Sequence, residues 1–114
     1  GRISEDESVK QAIELAGEND LRLHICHLSS SKSLALAKNS SKTQPVSWEF
    51  TPHHLLLDNS AYEVYGTFMK TNPPLREKQD SVSINDLDST SIIGTDHAPH
   101  TLEDKSKGVW DSSP

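Results

Sequence analysis

Apolar residues near the start of the chain recur at helical spacing. Four of them fall on one helix face: Val9, Ala12, Ile13 and Ala16. Ser4 stands before an acidic triplet at 5–7, which is typical of a helix N-cap followed by a first turn that favours negative charge. Gly17 follows the last apolar position and suits a helix C-terminus. The pattern predicts a helix over about 5–16.

Three short segments have the composition of strands, at 21–28, 46–51 and 92–95. The first and third are apolar enough to predict buried strands. The second alternates, with Val46, Trp48 and Phe50 on one face. A short helix is predicted between the first two strands. Ser29 to Ser31 could cap it, and its apolar pattern ends at Asn39.

The segment 52–91 is polar and predicted to be mostly irregular. A helical turn is expected near 61–65, and Pro73-Pro74 favours an extended stretch. Strands that alternate with helices indicate α/β architecture with a parallel sheet. Three strands do not close a barrel, and a gap of about 40 residues between two strands is typical of a functional loop.

Composition narrows the possible partners and compartment. The 114 residues fit one domain, 1–114, but only 32% are hydrophobic, which is a thin supply for an independent core. The start at Gly1 and the end on Ser112-Ser113-Pro114 are what we expect of a fragment of a larger protein. A net charge of -6 argues against nucleic acid and anionic membranes. The lone Cys26, without a signal peptide or apolar span, predicts a cytoplasmic protein.

The third strand runs into the most distinctive polar cluster, Thr95-Asp96-His97-Ala98-Pro99-His100. In a parallel barrel, the C-terminal ends of strands carry the chemistry. Asp and His suit zinc or a similar divalent ion, and a carboxylate beside a metal can also move a proton. The competing interpretation makes Asp96 a helix N-cap. The cluster thus points to a metal-assisted hydrolase.

The other two strands also end near histidines. His27 ends the first strand, on the Ile25 face by alternation, and is a better ligand candidate than His24, although a structural histidine is the simpler interpretation. His53 and His54 follow the second strand and are as suited to orienting ligands as to binding a metal.

The rigid segment 71–76 could hold Asn72 and Arg76 against an anionic or amide substrate, or it could be a surface turn.

The segments LHICHLSS, TPHHLLL, NPPLR and GTDHAPHTLEDK together strongly resemble the dihydroorotase branch of the cyclic amidohydrolases. The resemblance runs from about Leu23 to the end. It implies a partial TIM (β/α)8 barrel of the metal-dependent amidohydrolase type, covering roughly strands 6 to 8. The allantoinase and dihydropyrimidinase branches resemble the chain less.

The resemblance also implies roles for individual residues. His27 and Asp96 match metal ligands, and Asp96 also matches the catalytic acid/base. Asn72 and His100 match substrate-binding residues, while His53, His54 and Arg76 remain supporting candidates. The implied reaction is reversible hydrolysis of the cyclic amide of dihydroorotate to N-carbamoyl-aspartate in pyrimidine biosynthesis, with a binuclear zinc site.

The remaining ligands of that site are expected upstream, so the chain is expected to be inactive alone. It is also expected to be poorly stable, because an open parallel sheet leaves hydrophobic faces and edges uncovered. Expected partners are the small-molecule substrate, further copies of the parent protein, or aspartate carbamoyltransferase. Alternatives are another cyclic amidohydrolase, a catalytically dead dihydroorotase-like scaffold subunit, or an isolated metal-binding domain.

Overall fold

A computed structural model describes residues 2–114. The chain begins with helix α1 (Arg2–Glu18), then strand β1 (Leu23–Ile25), helix α2 (Ser31–Ser40) and strand β2 (Val46–Phe50). Two short helices, α3 (Pro52–Leu56) and α4 (Ala61–Tyr65), follow, with 3-10 turns at Gly66–Met69 and Ile84–Asp86. Strand β3 (Ile92–Ile93) and helix α5 (Leu102–Lys105) complete the described elements.

The three strands form one parallel sheet in the order β1-β2-β3. Leu23 pairs with Val46, and Glu49 pairs with Ile92. Because the strands are parallel, their C-terminal ends lie along one edge. The prediction of α/β architecture with a parallel sheet is confirmed.

The core lies between one face of this sheet and α2. Its buried hydrophobic residues are Leu28, Leu34, Ala37, Val46, Trp48, Phe50 and Val82. The alternation predicted for β2 is confirmed, since its three apolar residues are buried and share that face. No helix in the described residues is long and apolar enough to cross a membrane.

The bounds of the first helix were wrong. It starts before Ser4, so Ser4 lies inside it rather than at its N-cap. It ends after Gly17, and the left-handed residue that turns the chain is Asp20, with φ 54°. Asp tolerates that conformation better than most residues. The Ser30 cap of α2 is confirmed, because its side chain accepts a hydrogen bond from the Ser33 N–H.

Two predictions about the strands and the long connection were also wrong. β1 is three residues long and only half-buried, and both residues of β3 are exposed, because these strands lie at the edges of the sheet. The connection 52–91 is less irregular than expected. Pro52 stands in the first turn of α3, where a proline costs no hydrogen bond, and Thr51 caps that helix.

Candidate functional site

Two predicted site residues stand where the chain leaves a strand. His27 follows β1 with φ 39°, and Asp96 follows β3 with φ 49°. Left-handed backbone costs a non-glycine residue free energy, and residues that adopt it cluster at active sites as well as in turns. Since β1 already ends at Ile25, the strand alternation that assigned a face to His27 does not extend to it. Asp96 is not a helix N-cap, a position that Thr101 occupies for α5.

A cavity of about 280 Å³ lies at this edge of the sheet. Its lining includes four of the residues singled out from the sequence: His53, Asn72, Asp96 and His100. Carboxylate, amide and imidazole groups therefore converge although they are spread in the sequence from residue 53 to residue 100. A small, polar molecule could be held there from several sides.

His27 lines a neighbouring cavity of about 270 Å³ between α1 and β1. It still lies within electrostatic range of the first cavity, because His27 and Asp96 both act on the pKa of His53. Its Nδ1 atom is buried and has no hydrogen-bond partner in the described residues. A buried nitrogen without a partner is costly unless something else binds it, so His27 fits a ligand role.

The adjacent histidines of α3 have different surroundings. His54 is fully buried, and its Nε2 lies 2.9 Å from the Pro73 carbonyl oxygen, which can only accept a hydrogen bond. The Thr51 hydroxyl, 2.7 Å from His54 Nδ1, must then be the donor to that nitrogen. Thr51 Oγ1 also lies 3.1 Å from His53 Nε2, which must donate to it in turn.

This chain of hydrogen bonds leaves His53 Nδ1 as the ring nitrogen with a free lone pair when His53 is neutral. Burial lowers the pKa of His53, and the nearby His27 lowers it further while Asp96 opposes the shift. His54 is neutral near pH 7, because burial lowers its pKa to about 4. Both rings are thus held as neutral imidazoles beside Asn72, which directly precedes Pro73.

Arg76 is engaged away from the cavity. Its Nη2 lies 2.5 Å from Glu5 Oε2, and its Nε donates to Ser29 Oγ at 3.0 Å. Glu5 also accepts hydrogen bonds from the backbone N–H groups of Ser29 and Ser30. Arg76 therefore fixes the segment after Asn72 to α1 and to the turn after β1.

Four polar residues of the cavity lining had no predicted role: Thr71, Thr95, His97 and Lys105. Lys105 Nζ donates to the Lys70 carbonyl at 2.7 Å and the Ser113 carbonyl at 3.2 Å. Burial, and then the neighbouring Lys70, lower its pKa. Lys105 lies within one of the motifs quoted above, but a lysine alone carries no geometric signal.

Comparison with known proteins gives consistent matches. The chain is 46% identical over 106 residues to the dihydroorotase of Methanosphaera stadtmanae, covering 93% of this chain and 25% of that protein. It is 46% identical over 112 residues to the dihydroorotase of Methanothermobacter thermautotrophicus (98% and 26%), and 39% identical over 108 residues to that of Pyrococcus furiosus (94% and 26%).

A solved structure also matches. It is an L-hydantoinase (dihydropyrimidinase) from Arthrobacter aurescens, with a TM-score of 0.81 at 30% identity over 94% of this chain and 25% of that one. No family model matches the chain. The chain spans about a quarter of the length of these relatives, and its fold is the corresponding part of a TIM-barrel amidohydrolase.

Proposed function

Because the chain belongs to the dihydroorotase family over the quarter of its relatives' length that it spans, we propose that it contributes the sixth to eighth strand ends of a dihydroorotase active site. The reaction is reversible hydrolysis of the cyclic amide of dihydroorotate to N-carbamoyl-aspartate. The observation that carries the proposal is the cavity in which Asp96, Asn72 and His100 converge with His53.

His27 and Asp96 are the residues of this chain that would hold a divalent ion. The unpartnered, buried His27 Nδ1 supports this assignment. One imidazole nitrogen and one carboxylate are ligands that zinc accepts, and the remaining ligands would come from the other part of the barrel. When bound, the ion would polarise the scissile carbonyl and make water more acidic.

Side chains of this chain carry out proton transfer and substrate binding. Asp96 accepts a proton from the attacking water and passes it to the departing ring nitrogen, so one carboxylate serves both halves of the reaction. Asn72 hydrogen-bonds the amide or carboxylate groups of the substrate, and His100, in the same cavity lining, binds the substrate as well. His53 is held by its hydrogen bond to Thr51 and positions the side chains that line the cavity beside Asp96.

The test uses the full-length protein that supplies the remaining strands. Asp96→Asn keeps the size of the side chain but cannot carry the proton, and we expect kcat for dihydroorotate hydrolysis to fall by about 10²-fold or more. Asp111→Asn, an exposed aspartate near the C-terminus, is the matched control and should leave kcat unchanged.

Dihydroorotate, hydantoins and dihydropyrimidines are assayed in parallel. Preference for a substrate other than dihydroorotate would contradict the proposed substrate, whereas full activity of Asp96→Asn would contradict the proposed site. The 114-residue chain alone should hydrolyse dihydroorotate no faster than a protein-free solution of the same metal, because it lacks part of the ligand set.

A further inference from the structure

A second group of possible metal ligands lies within the sheet rather than at its end. The imidazole of His24, the thiol of Cys26 and the carboxylate of Glu49 each place one ligand atom within 4.8 Å of the other two. The strand register explains the cluster, because His24 pairs with Ser47 and Ile25 with Trp48, so the next pair is Cys26 beside Glu49. His24 and Glu49 alternate with strand residues that face the core, so they lie on the opposite face of the sheet. The distances between the ligand atoms place Cys26, directly after β1, beside them.

The hydrogen bonds of His24 show how its ring could turn to an ion. Nε2 lies 3.4 Å from Glu49 Oε2, and because a carboxylate can only accept, Nε2 donates and Nδ1 accepts from the Ser47 hydroxyl, 2.9 Å away. When an ion binds Nε2, the ring proton moves to Nδ1, and the Ser47 oxygen then accepts it. The Ser47 hydroxyl has the Leu23 carbonyl, 3.4 Å away, as an alternative acceptor for its own proton. Metal-binding histidines typically donate from their second nitrogen in this way.

The backbone of the neighbouring strand leaves space for the carboxylate. A Cβ atom at Gly94 would lie 2.7 Å from Glu49 Oε1 and 2.8 Å from Glu49 Oε2. Any larger residue at position 94 would displace the carboxylate. The Gly94 N–H is meanwhile fixed to the Phe50 carbonyl at 2.9 Å, so the backbone cannot easily move away.

We propose that His24 Nε2, Cys26 Sγ and the Glu49 carboxylate bind one zinc-class ion, separate from the ion assigned to His27 and Asp96. A thiolate with an imidazole favours zinc over magnesium or calcium. Tetrahedral zinc spaces its ligand atoms by about 3.5 Å, which small side-chain rotations can reach from the present separations. Three protein ligands leave the fourth position to water. The Cys26 thiol releases its proton to solvent on binding.

The site can be tested on the 114-residue chain, independently of the proposed hydrolase activity. Cobalt(II) replaces zinc, and its thiolate charge-transfer absorption reports Cys26 specifically, since Cys26 is the sole cysteine. We expect the band to saturate at one equivalent and to disappear on addition of zinc. Circular dichroism follows folding in the same samples, because metal binding can itself drive folding.

Four variants distinguish cobalt binding at this site from binding at other histidines and carboxylates. Cys26→Ser should abolish the band, and Glu49→Gln should weaken cobalt binding at least about tenfold. Gly94→Ala removes no ligand but should weaken binding by displacing Glu49. Its matched control is Gly108→Ala, since a Cβ at Gly108 meets nothing within 4 Å.

The proposal is overturned if excess cobalt produces neither the band nor folding in the unaltered chain. It is also overturned if Gly94→Ala and Gly108→Ala bind cobalt equally well, or if the band forms with the same affinity in denaturant, because binding would then not require the folded sheet. Each of these results concerns metal binding alone and leaves the proposed hydrolysis to its own test.

Discussion

His54 shows how one buried side chain can couple the candidate site to pH. Its ring is 1% exposed and bonded on both nitrogens, to Thr51 and to the Pro73 carbonyl. Protonating the ring would place a second proton on Nδ1, where Thr51 now donates. The main cause of the shift is burial, which disfavours the charged ring and lowers the pKa of His54 from 6.5 to about 4 in the folded chain.

This shift predicts a pH-dependent stability. Between pH 6.5 and about 4 the unfolded chain binds a proton at His54 that the folded chain does not, so the free energy of unfolding falls as the pH is lowered through this window. The contribution is fully present above pH 6.5 and amounts to about 3 kcal/mol. Urea unfolding of the chain at pH 7 and pH 4.5 measures the difference.

The matched variants for this prediction are His54→Gln and His100→Gln. We expect His54→Gln to lower the free energy of unfolding at pH 7. The further decrease in that free energy between pH 7 and pH 4.5 should be smaller than in the unaltered chain, because Gln does not titrate. His100 is exposed, and its replacement should leave the loss unchanged. An equal loss in the unaltered chain and in His54→Gln would contradict the prediction.

At the scale of elements, one buried ion pair ties three segments together. Arg76 and Glu5 join the segment after Asn72 to α1, and Glu5 also binds the turn before α2. We expect Arg76→Met to lower the free energy of unfolding by about 3–5 kcal/mol, because it leaves a mostly buried carboxylate without its partner. Urea denaturation measures this change.

Lys107→Met is the control for Arg76→Met. Lys107 forms an ion pair with Asp104 at 2.7 Å, but both side chains are well exposed, so water replaces the lost contact. The double variant Glu5→Gln/Arg76→Met should recover part of the loss. If Arg76→Met lowers the free energy of unfolding by no more than Lys107→Met does, the buried ion pair does not hold the elements together.

The sequence pattern predicted β2 and the cap of α2 well, because both depend on neighbouring residues. It predicted α3 poorly. Pro52 and two histidines are weak helix signals, and the helix is held by contacts distant in sequence, such as His54 with Pro73. The convergence of Asn72 with Asp96 likewise depends on the whole fold. The motifs suggested it only through their family resemblance.

At the scale of the whole molecule, the open sheet makes the chain less compact and leaves apolar side chains exposed to solvent. Its radius of gyration is 15.0 Å, against about 13 Å for a compact domain of this length. Ile93 pairs with Phe50 and so lies on the core face, yet it is 52% exposed, because no described helix covers β3. Sequence patterning identified these residues as a buried strand, since it cannot show whether a covering layer is present.

The exposed edge predicts self-association of the 114-residue chain. β3 is an edge strand with two exposed isoleucines, and such strands readily pair with other chains. Sedimentation velocity should show association that rises with concentration, and Ile93→Lys should reduce it, because a charged lysine on an edge strand opposes pairing. Val64→Lys, at a residue 74% exposed on α4, is the control and should have less effect. Equal effects of the two lysines would mean that net charge, rather than the open edge of the sheet, governs association.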